Sequence, residues 1–510
     1  MARAPSQGSR AGGQPIETEL KLAVDARDLP ALRKRLARFG AGETVKVDNT
    51  YFDTAGRLLQ RHRMGLRLRR IGRRWVQTLK TEAAMQALAS RGEWEVPAPR
   101  GRLDVLRFPE TPLAPLLRAH PDSPLRPVFR TRFARTLWRA DGGAVEIVLD
   151  RGEIVAGERR APILEVELEL KSGAADALFA IARSLLGRRA QALALVPAVE
   201  SKAMRGYRLA DGTSLQPAKA NARAVVGDLA RDVSLAAVLR RVIGRGTGLL
   251  LANAGGCLES TDPEFVHQAR VAVRRMRSAA RLIGTAAGWP AKLDAELRWV
   301  GRALGALRDW DVLQAQTLPA LSGAAPAAGT GLAAAVAERR QRDAASLHAS
   351  LRGPRFAALA LRLLEWAHSA GTEEAILAAT ARKLLRRLHR GLFEDAAFFA
   401  SLQVHAQHRV RIRAKRLRYA LDLFAAALPA KATSRYVEQL ARVQDELGAL
   451  NDAVVAAERL PALARAARVD PAPALAWLDA QRQQHALAAE AALAALSRLP
   501  RPWARGGRGS

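Results

Sequence analysis

A single change of period constrains what this chain can fold into. Up to about residue 210, apolar and polar residues alternate at every second position, the pattern of strands with two unlike faces. From about residue 228 to 500, Ala/Leu/Arg segments repeat at helical spacing. The alternation predicts strands at 16–24, 44–52, 64–70, 74–81, 92–96, 128–138, 144–149 and 163–171, with helices at 26–39 and 174–186. Turn residues such as Ile71-Gly72 and Asp141-Gly142-Gly143 separate them. Eight mostly antiparallel strands with one polar and one apolar face suit a closed barrel with a polar lumen. The expected fold is an N-terminal α+β domain built on an eight-stranded antiparallel β-barrel at 14–210 and an all-α bundle at 228–500. A linker at 211–227 joins them, and a disordered basic tail follows at 501–510.

The charges on the strands are sorted by sign. Glu17, Glu19 and Lys21 lie on one face of the first strand, and Glu165, Glu167 and Glu169 on one face of the last. Three glutamates in a row repel one another unless a cation is near. Arg67 and Arg69, Lys80, Arg132 and Arg135 form basic faces, with Glu93 and Asp150 as further acids. A half-exposed sheet with a solvated face would also carry charge at alternate positions. In a closed barrel, however, these faces would meet in the lumen. Carboxylates there would hold Mg²⁺ or Mn²⁺, and arginines and lysines would grip phosphoryl oxygens. That combination points to metal-assisted chemistry on a phosphate compound.

The helical half repeats itself. His267, Arg270, Arg274, Arg277 and Arg281 form one helix stripe, and His408, Arg411, Lys415 and Arg418 form a second, with Arg416 beside it. Leu304-Gly305-Ala306-Leu307-Arg308-Asp309 matches Leu447-Gly448-Ala449-Leu450-Asn451-Asp452. Two copies of one unit predict a bundle with a pseudo-two-fold repeat. Lys383, Arg386 and Arg390 add a third basic face. Solvated faces usually mix signs, whereas these stripes contain almost no acid, so they are expected to bind a polyanion.

The net charge of +32 agrees with a polyanionic partner. Aromatics make up 5% of the chain and lie mostly outside the stripes, which disfavours base stacking on nucleic acid. Backbone-only electrostatic binding of nucleic acid stays open. Cys257 is the one cysteine, so no intrachain disulfide forms, in keeping with a reducing cytosol. The first fifteen residues have no apolar core, so no signal peptide is expected. The uncharged stretch 317–336 is rich in Ala, Gly and Pro and reads as a loop rather than a membrane span. No P-loop, Gly-x-Ser-x-Gly, His-Glu-x-x-His or dinucleotide fingerprint occurs.

Several short motifs occur in order along residues 14–210. They are Glu17-Thr18-Glu19-Leu20-Lys21, Met64-Gly65-Leu66-Arg67-Leu68-Arg69, Thr78-Leu79-Lys80, Arg91-Gly92-Glu93, Leu149-Asp150-Arg151-Gly152-Glu153, Glu165-Val166-Glu167-Leu168-Glu169-Leu170 and Ser201-Lys202-Ala203-Met204-Arg205-Gly206-Tyr207. Together they resemble the CYTH domain of the triphosphate tunnel metalloenzymes. The two His-x-x-Arg-x-x-x-(Arg/Lys)-Arg-x-Arg helices and the Leu-Gly-Ala-Leu-x-Asp pair resemble the CHAD domain. The combined architecture is similar to bacterial inorganic triphosphatases.

The resemblance implies a triphosphate tunnel in which Glu17, Glu19, Lys21 and Glu93 are catalytic groups. Glu17, Glu19, Glu167 and Glu169 would be metal ligands, supported by Asp150 and Glu165. Lys21, Arg67, Arg69, Lys80, Arg132, Arg135, Lys202 and Arg205 would bind the triphosphate, with Arg130 on the same face as Arg132. Lys202 and Arg205 enter through the resemblance alone. It further implies polyphosphate binding along the helical stripes. The expected protein is a cytoplasmic, metal-dependent inorganic triphosphatase without a membrane span, associated with polyphosphate, that makes diphosphate and phosphate. Specific nucleic-acid binding is not expected. The alternatives are a non-catalytic polyphosphate-binding protein, or a triphosphatase or cyclase acting on thiamine triphosphate or ATP.

Overall fold

The computed structural model describes residues 16–81, 88–188, 191–230, 232–324, 326–369, 376–394 and 396–504, so most of the expected basic tail lies outside the described residues. The chain divides into two compact units between Gln216 and Pro217.

In the first unit the described residues form nine strands. They are β1 (Ile16–Ala23), β2 (Glu43–Asp53), β3 (Met64–Ile71), β4 (Arg74–Thr81), β5 (Leu88–Pro97), β6 (Arg126–Ala140), β7 (Val145–Ala156), β8 (Arg159–Leu170) and β9 (Val196–Pro197). Every pairing is antiparallel, in the order β5-β4-β3-β2-β6-β7-β8-β1-β9. β1 gives one edge to β8 and shares the other between β5, along Ile16–Leu20, and β9, at Leu22 and Ala23. The expected closed eight-stranded barrel is therefore corrected to a curled nine-stranded sheet whose flanks meet at β1. β9 escapes a pattern search because two residues cannot display an alternation.

Among the described residues five α-helices accompany the sheet: α1 (Leu29–Leu36), α2 (Leu58–Arg61), α3 (Leu113–Arg118), α4 (Asp176–Leu186) and α5 (Lys202–Asp211). α5 starts at Ser201, whose hydroxyl accepts from the Met204 amide, and packs on β6, β7 and β8. Gly206 makes the close approach possible, since a Cβ there would lie 2.0 Å from the Phe129 ring. Tyr51 stacks on Phe129 at 4.4 Å, and Tyr207 meets Phe129 edge-on at 5.2 Å. Val47, Phe133, Ile154, Ile163 and Ala203 complete this apolar cluster, which anchors the helix that carries Lys202.

The second unit is helical: α6 (Ala222–Val225), α7 (Leu235–Glu259), α8 (Pro263–Ile283), α9 (Ala291–Val312), α10 (Leu318–Ala324), α11 (Pro326–Leu351), α12 (Pro354–His368), α13 (Leu377–Phe393), α14 (Val404–Leu423), α15 (Ala430–Ala467) and α16 (Ala472–Ser497). α8 packs on α7, α9 and α14, and α14 on α13 and α15. The two sequence copies start on α8 and α14 and continue on α9 and α15. The stretch 317–336, expected as a loop, lies largely in α10 and α11. Alanine has high helix propensity, and Leu318, Leu321, Leu332 and Val336 bury against Leu460 and Leu463 of α15. Among the described residues no helix is long and apolar enough to cross a membrane.

Candidate functional site

Strand alternation brings the charged faces of the first unit into one cavity of about 370 Å³. Register places Glu19 opposite Glu169, Glu169 opposite Glu146, and Lys21 opposite Glu167. Glu17, Lys21, Arg67, Arg69, Lys80, Glu93, Arg135, Glu167, Glu169 and Lys202 line the cavity, together with Tyr51, Glu95, Phe133, Glu146 and Lys171.

One acidic cluster is already neutralised by the protein. Donor oxygens of Asp150, Glu165 and Glu167 lie within 4.8 Å of one another, a grouping able to hold a metal ion. The Lys202 ammonium stands among them, 2.7 Å from Asp150 and 3.0 Å from Glu167 and bonded to Glu165. Arg135 donates to both Asp150 oxygens at 2.7 and 2.6 Å and to Glu167 at 2.8 Å. Lys21 at 3.7 Å from Glu167 and Arg205 at 3.2 Å from Glu165 bring four cations to three carboxylates. Burial alone would raise the Glu167 pKa, but Lys202, Lys21 and Arg135 outweigh it and hold the carboxyl well below the ordinary range. A divalent ion at Asp150 and Glu165 would first have to displace Lys202.

A second acidic group sits differently. Burial, and then the facing charge of Glu17, push the Glu169 carboxyl above its ordinary pKa. Glu17 accepts from Lys80 at 2.7 Å, and Lys80 also reaches Glu93 at 2.9 Å. Burial opposes ionisation of Glu93, yet Lys80 and Arg67 win and lower it to about 2. Glu93 therefore stays a carboxylate. The Glu17–Glu169 pair is relieved by a hard cation, and its all-oxygen donors suit Mg²⁺ or Mn²⁺, so these residues fit a divalent metal.

Across the cavity the imbalance reverses. The Arg69 guanidinium bonds the Asn49 side chain at 2.9 Å, and burial with the charges of Arg67 and Arg135 lowers it to about 10. The Arg67 Nε is buried without an acceptor. Guanidinium groups held this close suit an anion with many oxygens.

Two expected phosphate ligands fall outside the cavity. Arg132 and Arg135 are three residues apart on one strand, so they point to opposite faces. Arg135 faces inward; Arg132 is half exposed beside Asp48 at 3.6 Å, with Arg130 on the same outer face. Arg205 bonds Glu165 and the Pro162 carbonyl and is absent from the described lining. Glu19, at 2.7 Å from Lys21, lies buried in the wall. Glu95 and Glu146 were missed, although each shares a face with an acid two or four residues away, Glu93 and Asp150. Trp94 packs into the apolar cluster of Leu59, Met64 and Phe108, away from the cavity.

In the second unit, α8 and α14 bring Arg270, Arg274, Arg411 and Lys415 together. Burial, then Arg411, Arg274 and Arg270, push the Lys415 ammonium down to about 6, with Asp452 as the opposing charge. Arg270 and Arg411 are lowered by burial and by Arg274, and Asp309 faces both. His267 is lowered by burial and Arg308. The rest of each stripe is used otherwise. Arg277 pairs with Asp294 at 3.3 Å, and Arg418 donates to the Val437 carbonyl at 3.1 Å. Arg281, His408 and Arg416 are exposed, as are Lys383, Arg386 and Arg390 on α13.

The inorganic triphosphatase of Haemophilus influenzae is 36% identical over 204 residues, which cover 38% of this chain and 54% of that protein. The chain thus spans about half the length of this curated relative. The crystal structure of the CHAD domain from the plant Ricinus communis is 33% identical, with a TM-score of 0.50, and covers 57% of this chain and 99% of that one. The matches to family descriptions agree with the two-part layout: the chain carries a CYTH domain at residues 15–207 and a CHAD domain at residues 241–461.

Proposed function

We propose that the first unit, 14–210, hydrolyses inorganic triphosphate to diphosphate and phosphate with a divalent cation, and that the second, 228–500, binds inorganic polyphosphate. The observation that carries the first assignment is a polarised cavity: burial and then the Glu17 charge raise Glu169 on one wall, and burial and then the Arg67 and Arg135 charges lower Arg69 to about 10 on the other. A cation and a polyphosphate relieve both strains at once.

Glu17, Glu19 and Glu169 would hold the metal, with Glu167 beside them. When bound, Mg²⁺ or Mn²⁺ supplies charge neutralisation and a polarised water. Arg67, Arg69 and Lys80 grip the phosphoryl oxygens, while Arg135 and Lys202 complete the positive wall. Glu93 fixes Lys80 and Arg67 by ion pairs at 2.9 and 3.4 Å rather than carrying a proton. Water oxygen bonds to the terminal phosphorus, the bridging P–O bond breaks with its electron pair leaving on diphosphate, and the water's proton passes to solvent.

An inorganic substrate is favoured by the lining. Its two aromatics are already engaged: Arg135 and Lys202 cover Phe133 at 5.5 and 5.4 Å, and Tyr51 stacks on Phe129. No ring in the described lining is left for a base or thiazole. Four crowded cations on α8 and α14 support polyphosphate binding by the second unit. Placement in the cytoplasm, on polyphosphate, is part of the same proposal.

Phosphate release from tripolyphosphate, thiamine triphosphate and ATP with and without chelator tests the reading. Selective, metal-dependent release from tripolyphosphate supports it. Stoichiometric binding without release would make the cavity a receptor, and cyclic nucleotide from ATP would make it a cyclase.

A further inference from the structure

The carboxylates of Asp150, Glu165 and Glu167 have the spacing of a metal site, with donor oxygens within 4.8 Å of one another. One oxygen from each meets the same atom, the Lys202 Nζ: Asp150 Oδ2 at 2.7 Å, Glu167 Oε1 at 3.0 Å, and Glu165 Oε1, which accepts its hydrogen bond. The ammonium nitrogen stands where these oxygens would otherwise ligate a divalent ion.

The other oxygens of the cluster are taken as well. Asp150 Oδ1 accepts from Arg135 Nε at 2.7 Å, Glu167 Oε2 from Arg135 Nη2 at 2.8 Å, and Glu165 Oε2 from Arg205 Nη1 at 3.2 Å. Both oxygens of every carboxylate thus accept from a side-chain cation, and no donor is left over for a metal. Lys21 also lies 3.7 Å from Glu167, so cations outnumber carboxylates before any metal arrives. Asp150 is 0% exposed and the Lys202 side chain 8%, so little water screens the charges, and a dication added here would meet net positive charge. Packing delivers the ammonium independently of these ion pairs. The Ser201 cap starts α5, Ala203 joins the apolar cluster, and Gly206 lets the helix approach Phe129.

We infer that Lys202 is the resident cation of this cluster, a positioning residue that fills what would otherwise be a second divalent site and confines metal loading to the Glu17–Glu169 side. The place of the first ion rests on the proposed function; the filling of this cluster does not.

The test counts Mn²⁺ bound to the full chain without substrate, from the EPR signal of the free ion. Lys202→Ala should bind about one ion per chain more than the parent, since it bares one oxygen of each carboxylate to a hard cation. Lys202→Arg, which keeps a cation in place, should gain none, and adding Asp150→Asn to Lys202→Ala should remove the gain. Asp150→Asn alone should leave the parent's count unchanged. If Lys202→Ala unfolds without metal, Mn²⁺ should refold it by circular dichroism, and should not refold the variant that also carries Asp150→Asn. A parent that binds no Mn²⁺ beside a Lys202→Ala chain that binds it would count against the first site and support this inference. Equal counts in the parent and Lys202→Ala, a parent count lowered by Asp150→Asn, or an unfolded Lys202→Ala chain that Mn²⁺ does not refold overturns it.

Discussion

At the residue scale, parity decides which charges do chemistry. Arg132 and Arg135 share a strand and a charge, yet one faces Asp48 in solvent and the other lies among Asp150 and Glu167. Arg132→Ala should leave kcat/KM for tripolyphosphate within about twofold, because an exposed pair contributes little. Arg135→Ala should cost about 3 kcal/mol or more in denaturant unfolding, since it strands buried carboxylates. Glu169 makes a sharper case. Its pKa is raised by burial and by Glu17, so folding favours the protonated acid more than the unfolded chain does. Stability is then lost as pH rises through the raised value, and metal binding restores it. Glu169→Gln should raise the metal-free melting temperature at pH 7 while lowering turnover about a hundredfold or more. A variant that loses both stability and activity would contradict the carboxylate pairing with Glu17.

At the element scale, the position of α5 shapes the proposed site, and it was the least legible in the sequence. Alternation exposed Glu17, Glu19, Arg67, Arg69, Glu167 and Glu169, because a strand's period states which residues share a face. It could not reveal that Lys202, the first residue of a short helix, would enter an acidic cluster from a distant part of the chain. Nor could it separate Arg132 from Arg135 without knowing which parity faced inward. Gly206→Ala should destabilise the first unit by about 1–3 kcal/mol and reduce turnover, since the added methyl meets Phe129 and moves α5. Gly65→Ala, whose Cβ would lie 3.8 Å from Ala203, should leave stability nearly unchanged. In the helical unit, Lys415 is depressed to about 6 from 10.5 by burial and by Arg411, Arg274 and Arg270. The folded unit sheds a proton that the unfolded chain keeps in that window, so raising pH stabilises the ligand-free form. A bound polyanion draws the proton back onto the ammonium. Polyphosphate binding at pH 7–8 should take up protons, visible by calorimetry in buffers of different ionisation enthalpy, and Lys415→Arg should abolish the uptake. Proton uptake unchanged in Lys415→Arg would remove Lys415 from the site.

At the scale of the whole molecule, the chain divides into two units between Gln216 and Pro217, and the proposed function assigns a separate task to each. The period change near residue 210 was visible in the sequence because strands and helices bury apolar residues at different spacings. The way β1 divides its second edge between β5 and β9 was not, because that depends on pairing between distant segments. Arg274→Ala with Lys415→Ala should weaken long-chain polyphosphate binding about tenfold or more and leave tripolyphosphate turnover nearly intact. Loss of hydrolysis in that folded variant would contradict the division of labour. The most direct test of the central claim is phosphate release from tripolyphosphate by the full chain, with Mg²⁺ or Mn²⁺ and then with chelator. The predicted result is turnover that chelator abolishes, that returned metal restores, and that exceeds release from ATP and thiamine triphosphate. A folded chain that binds tripolyphosphate but releases no phosphate with either metal would contradict it.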